Sequence, residues 1–243
     1  MLIEQAAYAN RWRRVNPQAK ACFALAGLLA AFAAASPEAA LRVAFLSGLI
    51  TCLGAGVPGR LYLRVATPAA GFLALSCLNL LIAVDSDFAW RWAPEAMPQI
   101  AALAGRSLAA LAALLGLVLT TPLADLIALL RRLRCPAVLL DLMVLCYRML
   151  FVFSQAVRDT HTAQQARLGY ATTRHRLRSL GYLAANLAVQ VWQRSHALHL
   201  AALARNGDGA LRFLGPHFAH TGRDTALAML AGFLLILLAR LWV

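Results

Sequence analysis

Two tetrapeptides offer chemistry: Ala166-Arg167-Leu168-Gly169 and Ala204-Arg205-Asn206-Gly207. Each closes a helix-patterned segment with a small residue, an arginine, one variable residue and a glycine. A guanidinium fork grips a carboxylate through two parallel hydrogen bonds, which an ammonium cannot imitate. Taken singly, each site also reads as an ordinary helix end, with a cation complementing the dipole and glycine as the cap. The repetition, and an alanine that leaves each arginine on a slim stem, favour a pair of exposed tips for two equivalent sockets on a soluble partner. That chemistry is docking rather than bond making.

Bond-making alternatives find little support. A P-loop needs glycine-rich backbone donors and a lysine on the phosphates. The one lysine, Lys20, begins an alanine-rich apolar run. There is no Gly-x-Ser-x-Gly elbow and no His-Glu-x-x-His motif, and Asp125, Asp141 and Asp159 are dispersed. His196/His199 and His217/His220 have the spacing of paired ligands on one helical face, but lack a nearby cysteine or carboxylate except Asp224. They read as surface or interface histidines. The five cysteines show no zinc or redox spacing and read as small buried hydrophobes. No catalytic residue, metal ligand or cofactor is therefore expected.

The elements that position the tips are written for a membrane. Of 243 residues, 61% are hydrophobic and 14% charged, and mean hydropathy is +0.67. Soluble domains carry about a quarter charged residues, so this is an integral membrane composition and the lipid bilayer is its first partner. The net charge of +13 is almost wholly arginine. It is spread between apolar segments without exposed aromatics between, which argues against nucleic acid. A spanning helix needs roughly 20 apolar residues, and five segments qualify: Lys20–Ser36, Ala39–Val57, Thr67–Val84, Ile100–Thr121 and Thr225–Val243. The expectation is an all-α polytopic bundle of about five spans, with residues 1–121 holding four of them, 122–224 a helical cytoplasmic coupling region, and 225–243 the last. Arg11, Arg13, Arg14 and Lys20 precede an apolar run as in a signal peptide, but Ser36-Pro37-Glu38 leads straight into the next, as in a multispanning chain. The Asp85–Gln99 turnaround carries Trp90 and Trp92 as interfacial anchors.

The positive-inside rule orients the spans. A cytoplasmic N-terminus puts Arg11, Arg13, Arg14, Lys20, Arg60, Arg64 and the basic residues from Arg131 to Arg223 in the cytoplasm. Ala137–Phe153 is apolar enough to cross, but contains Asp141 and Arg148. Crossing there would put nine arginines, Arg158 to Arg223, outside. It is read as a helix under the membrane domain or along the interface. The coupling region then holds three helices: one from Pro122 to the Arg131–Arg134 cluster, one from Pro136 to Leu168 that Gly169 ends, and one from about Arg176 to Arg205. The two long ones form an open V or an X.

At this point the chain resembles a known family. Tyr147-Arg148 followed by Ala163-Gln164-Gln165-Ala166-Arg167-Leu168-Gly169-Tyr170 is similar to the transmembrane T subunits of energy-coupling factor importers, and most to the CbiQ-type subunit of cobalt transporters. Asn16-Pro17-Gln18-Ala19-Lys20 is similar to that family's Asp-Pro-x-x-Lys at the start of its first span. Leu130 to Pro136 resembles the linker before its long coupling helix, and Arg194-Ser195 with Ala204-Arg205 its second arm. The resemblance implies a non-catalytic permease subunit of the inner (cytoplasmic) membrane, bridging two cytoplasmic ATPase subunits and a small substrate-binding membrane subunit. Arg167 and Arg205 would be its coupling arginines. The family's tips read Ala-Arg-Gly or Ala-Arg-Ser; here the third position is Leu168 or Asn206. Nickel or a vitamin are alternative cargoes, and a membrane enzyme acting on an anionic lipid is the alternative of another class.

Overall fold

The computed structural model describes residues 2–84, 90–92, 97–204 and 221–241. The described helices are α1 (Leu2–Ala9), α2 (Pro17–Ala33), α3 (Pro37–Leu49), α4 (Gly59–Leu81), α5 (Met97–Thr120), α6 (Leu123–Arg132), α7 (Ala137–Ala166), α8 (Thr173–Ala204) and α9 (Thr221–Leu241). A 3-10 turn, Arg11–Arg14, follows α1, and a π-helical turn, Ile50–Gly54, extends α3. The helix starts are written locally. Pro17 and Pro37 take the first helical position, where a missing N–H is harmless. Asn16 and Ser36 cap just before them, accepting from Gln18 N (3.1 Å) and Ala39 N (3.2 Å). The third turnaround is a short antiparallel hairpin, β1 (Ile82–Val84) with β2 (Trp90–Trp92), pairing Ile82 with Trp92. Residues 85–89 and 93–96 lie outside the described set.

Among the described residues, five helical segments are long and apolar enough to cross a membrane: Pro37–Gly54, Gly59–Leu81, Met97–Thr120, Ala137–Ala166 and Thr221–Arg240. The set differs from the expected one at a single member. The first apolar run folds as the 17-residue α2 because Ala34–Ser36 fall beyond its end, and α7 joins the group by length. α2 is nonetheless inside the bundle, with Ala24, Gly27, Ala30 and Ala31 buried.

Two compact units are present: residues up to Leu129 with the C-terminal α9, and a second unit beginning at Leu130 and including α7 and α8. The first packs through small residues. A Cβ placed on Gly232 would sit 2.5 Å from the Ala26 Cβ, one on Gly27 3.0 Å from the Ala113 Cβ, and one on Gly105 3.0 Å from the Pro37 carbonyl oxygen. Such contacts bring helix backbones together where apolar lipid gives side chains no reason to leave it. Ala30, Ala31, Val43, Ala109, Leu235 and Ala239 form the central cluster. Gly232→Val is accordingly expected to destabilise the purified protein by about 1–3 kcal/mol, read as a lowered thermal unfolding midpoint in detergent.

These contacts also fix direction. Lys20 Nζ, at the start of α2, donates to Thr120 O at the end of α5 (2.9 Å), and Arg11 N donates to Ala55 O beyond the end of α3 (2.9 Å). Ala26 faces Gly232, and Ala30 and Ala31 cluster with Leu235 and Ala239, so α9 runs with α2. The end of α5 and the start of α9 therefore share the face of the bundle that carries the N-terminal arginines. The chain between them leaves from and returns to one side.

Candidate coupling site

Arg167 lies at the end of α7, a 30-residue helix about 45 Å long. The turn that follows closes in a defined way. Leu168 N donates to Gln165 O (3.0 Å) and Gly169 N to Gln164 O (2.9 Å). Leu168 holds a left-handed φ of 56°. This is the Schellman arrangement, in which the two N–H groups past the cap satisfy carbonyls of the last turn. The sequence places Gly169 as the residue that ends the helix; instead the helix ends at Ala166, and a leucine occupies the position that glycine fills at no steric cost. Ala166, Arg167 and Leu168 are all exposed, Leu168 at 75%. Among the described residues no carboxylate pairs with Arg167.

Gly169 is needed for space. A Cβ there would meet Ser179 Oγ at 2.7 Å and Gln164 O at 2.9 Å. Ser179, the one buried residue of α8, donates to Gly169 O (2.8 Å). Gln164 Nε2 donates to Ser179 O (3.0 Å), and Tyr170 donates to Gln164 Oε1 (2.8 Å). His161 lies against the Tyr170 ring, with centroids 4.8 Å apart. Arg176 Nε, early in α8, donates to Tyr170 O (3.1 Å). The arms of the second unit are thus knotted at the elbow, and Arg167 projects from the knot. Each of these bonds contributes roughly 0.5–1.5 kcal/mol. Beyond the elbow α8 leaves large side chains open to its surroundings, with Trp192 at 76%.

The second candidate tip is partly visible. Ala204 is the exposed last residue of α8. Arg205, Asn206 and Gly207 lie outside the described residues, as do His217 and His220. His196 and His199 are exposed, and no group of three or more metal-ligating side chains occurs among the described residues. Gln164, Tyr170 and Ser179 are site residues that sequence reasoning did not single out. Gln164 and Tyr170 stood within the quoted motif, but their partner Ser179 is in another helix, and no local pattern announces that pairing.

Leu168→Gly follows as a prediction. Holding an L-residue left-handed costs about 1–2 kcal/mol, so the glycine variant is expected to raise the thermal midpoint of the purified protein by a few degrees.

A glycine- and alanine-packed bundle, with spanning-length apolar helices and a knotted pair of long exposed helices, defines a multi-pass helical membrane protein. The family model for CbiQ, described as cobalt transport protein, matches residues 9–213. Among curated proteins, the chain is 37% identical over 213 residues to the cobalt transport protein CbiQ of Rhodobacter capsulatus, covering 87% of this chain and 86% of that one. It is 28% identical to the CbiQ of Salmonella typhimurium, over 79% of this chain and 90% of that one. A putative fused cobalt transport protein CbiMQ of Methanocorpusculum labreanum is 27% identical over 98% of this chain and 41% of its own length. The chain belongs to the CbiQ family of cobalt transport proteins.

Proposed function

We propose that this protein is the non-catalytic coupling subunit of an ATP-driven cobalt importer in the cytoplasmic membrane, carrying the movement of two cytoplasmic ATPase subunits to a substrate-binding membrane subunit. The observation that carries the reading is Arg167, an exposed guanidinium without a carboxylate partner among the described residues, held at the apex of a hydrogen-bonded elbow. A rigid, exposed arginine of this kind suits a carboxylate-lined socket on another polypeptide. Arg205 is proposed as its counterpart.

The topology argues the same way. Because α5 ends and α9 begins on one face of the bundle, the intervening chain crosses the bilayer twice or not at all. Two crossings would make α8 the return span, and any stretch of about 20 residues within it would carry at least one of Arg174, Arg176, Arg178 and Arg194, at several kcal/mol for a charge at mid-bilayer. No crossing costs nothing of the kind. We therefore place α7 and α8 on the side of the N-terminal arginines, which the excess of positive charge makes the cytoplasm. The relative named as a fusion, CbiMQ, is in keeping with work beside a second transport component.

The test is reconstitution. Co-expressed with its genomic neighbours and placed in liposomes, the chain is expected to support radiocobalt uptake that requires internal or external ATP on the ATPase side only. Uptake without ATP, or ATP-driven uptake of nickel or a vitamin with no cobalt uptake, would overturn the cobalt reading. An isolated chain that turns over a lipid would overturn the non-catalytic one.

A further inference from the structure

We infer that Asp125 is a positioning residue for transport: its ion pair with Arg13 pins the first turn of α6 to the N-terminal segment, so that movement arriving along α6 is delivered to α5 rather than lost in the bend between them. The inference rests on the coupling role proposed above and names a part of the chain that role does not use.

The bend is Thr120–Leu123. Pro122 is fully buried, and its carbonyl accepts from Asp125 N (3.0 Å) and Leu126 N (3.2 Å). The boundary between the two compact units falls inside α6, after Leu129, four residues beyond Asp125. α6 is therefore one of the two stretches of chain that join the units, and the one that leads directly into α5. The N-terminal segment grips both sides of the bend. On the α5 side, Lys20 Nζ (2.9 Å) and Asn10 Nδ2 (3.1 Å) both donate to Thr120 O. These are a cation and an amide on the orphan carbonyls of a helix end. On the α6 side, Arg13 donates to Asp125, whose side chain is 2% exposed against 31% for the arginine. The gripping segment is itself fastened, since Trp12 packs so close to Gly54 that a Cβ there would lie 2.7 Å from its ring, and Arg11 N bonds Ala55 O (2.9 Å).

Stability alone is a poor account of this pair. Buried ion pairs are often replaceable by apolar residues without loss, whereas they do fix one geometry over others. A carboxylate early in α6 also suits its helix dipole, but an exposed one would serve that purpose equally well.

The test uses the whole transporter in liposomes and compares Asp125→Asn, Arg13→Gln, the double variant and Asp125→Glu with wild type. Retained ATPase, ATP hydrolysis rate and cobalt taken up per ATP are measured separately. Asp125→Asn and Arg13→Gln are expected to retain the ATPase and its hydrolysis while uptake per ATP falls about tenfold, within the usual span of coupling effects. The double variant is expected to be no worse than either single one, and Asp125→Glu to recover part of the loss. Unchanged uptake per ATP, with any deficit confined to the amount of assembled transporter, would overturn the pin and leave the coupling role standing. If Asp125→Asn fails to accumulate, Arg13→Gln, changed on the more exposed side, decides alone. A wild-type chain that retains no ATPase would overturn the coupling role and the pin together.

Discussion

Arg167→Glu combined with Arg205→Glu is expected to strip the ATPase subunits from the purified assembly and to abolish ATP-driven cobalt uptake. An interfacial arginine seated in a desolvated pocket contributes roughly 2–4 kcal/mol, and each 1.4 kcal/mol is about tenfold in affinity. One reversed charge should therefore weaken assembly about thirtyfold or more, by the same arithmetic. The second tip would still tether the motor at high local concentration, so a single variant keeps some transport. Reversing both removes the tether, and the two losses compound. The exposure of Arg167 implies that its substitution leaves the fold intact, since no carboxylate partner among the described residues is stranded. Normal circular dichroism and thermal unfolding of the double variant would establish that control. An ATPase that still co-purifies with it and drives uptake at the wild-type level would end the coupling proposal.

Gly169→Val should have the next largest effect, and for a different reason. The added carbons have nowhere to go: one contact is the Ser179 hydroxyl at 2.7 Å, which could rotate, but the other is the Gln164 carbonyl at 2.9 Å, which belongs to the last turn of α7. Relief requires either opening the turn or moving α8 away. Either choice breaks the Ser179–Gly169 and Gln164–Ser179 bonds and re-aims Arg167. Overpacking of this kind costs about 1–3 kcal/mol, localised at the elbow. The expected result is faster protease cleavage between the arms and loss of most uptake, with the bundle's own unfolding midpoint unchanged. Wild-type protease resistance in the variant would show that the elbow is looser than its hydrogen bonds imply. Leu168→Gly and Gly169→Val thus act one residue apart in opposite directions, because one position is limited by backbone conformation and its neighbour by room.

Much of this was legible in the sequence. The apolar runs and the prolines behind Asn16 and Ser36 mark the helices, because chain length, hydropathy and capping are local properties. The first apolar run continues three residues past the end of its helix, since Ala34 and Ala35 are good helix formers and only the cap at Ser36 reveals that the next helix has begun. The arginine tip was visible because it departs from its apolar surroundings, but its support was not. Nothing near Gln164 indicates that its amide will reach Ser179, and nothing near Asp125 indicates that it will be buried beside an arginine more than a hundred positions earlier. Leu168 shows the limit from the other side: Gly169 reads as the residue that ends the helix, while the hydrogen-bond geometry puts the left-handed residue one position earlier.

Leu168 has a counterpart at the other end of α7. Arg134 also holds a left-handed φ, of 60°, and there Arg134 N donates to Arg131 O and Cys135 N to Leu130 O, both at 3.2 Å. The long helix is therefore preceded and followed by turns of the same kind, one closing α6 and the other closing α7 itself. Upstream the turn closes α6 without help from α7, whereas downstream the turn leans on α8 through Ser179, so the two arms belong together. A graft that begins at the Arg134 turn and carries α7 and α8 together keeps the elbow's bonds within the transferred piece.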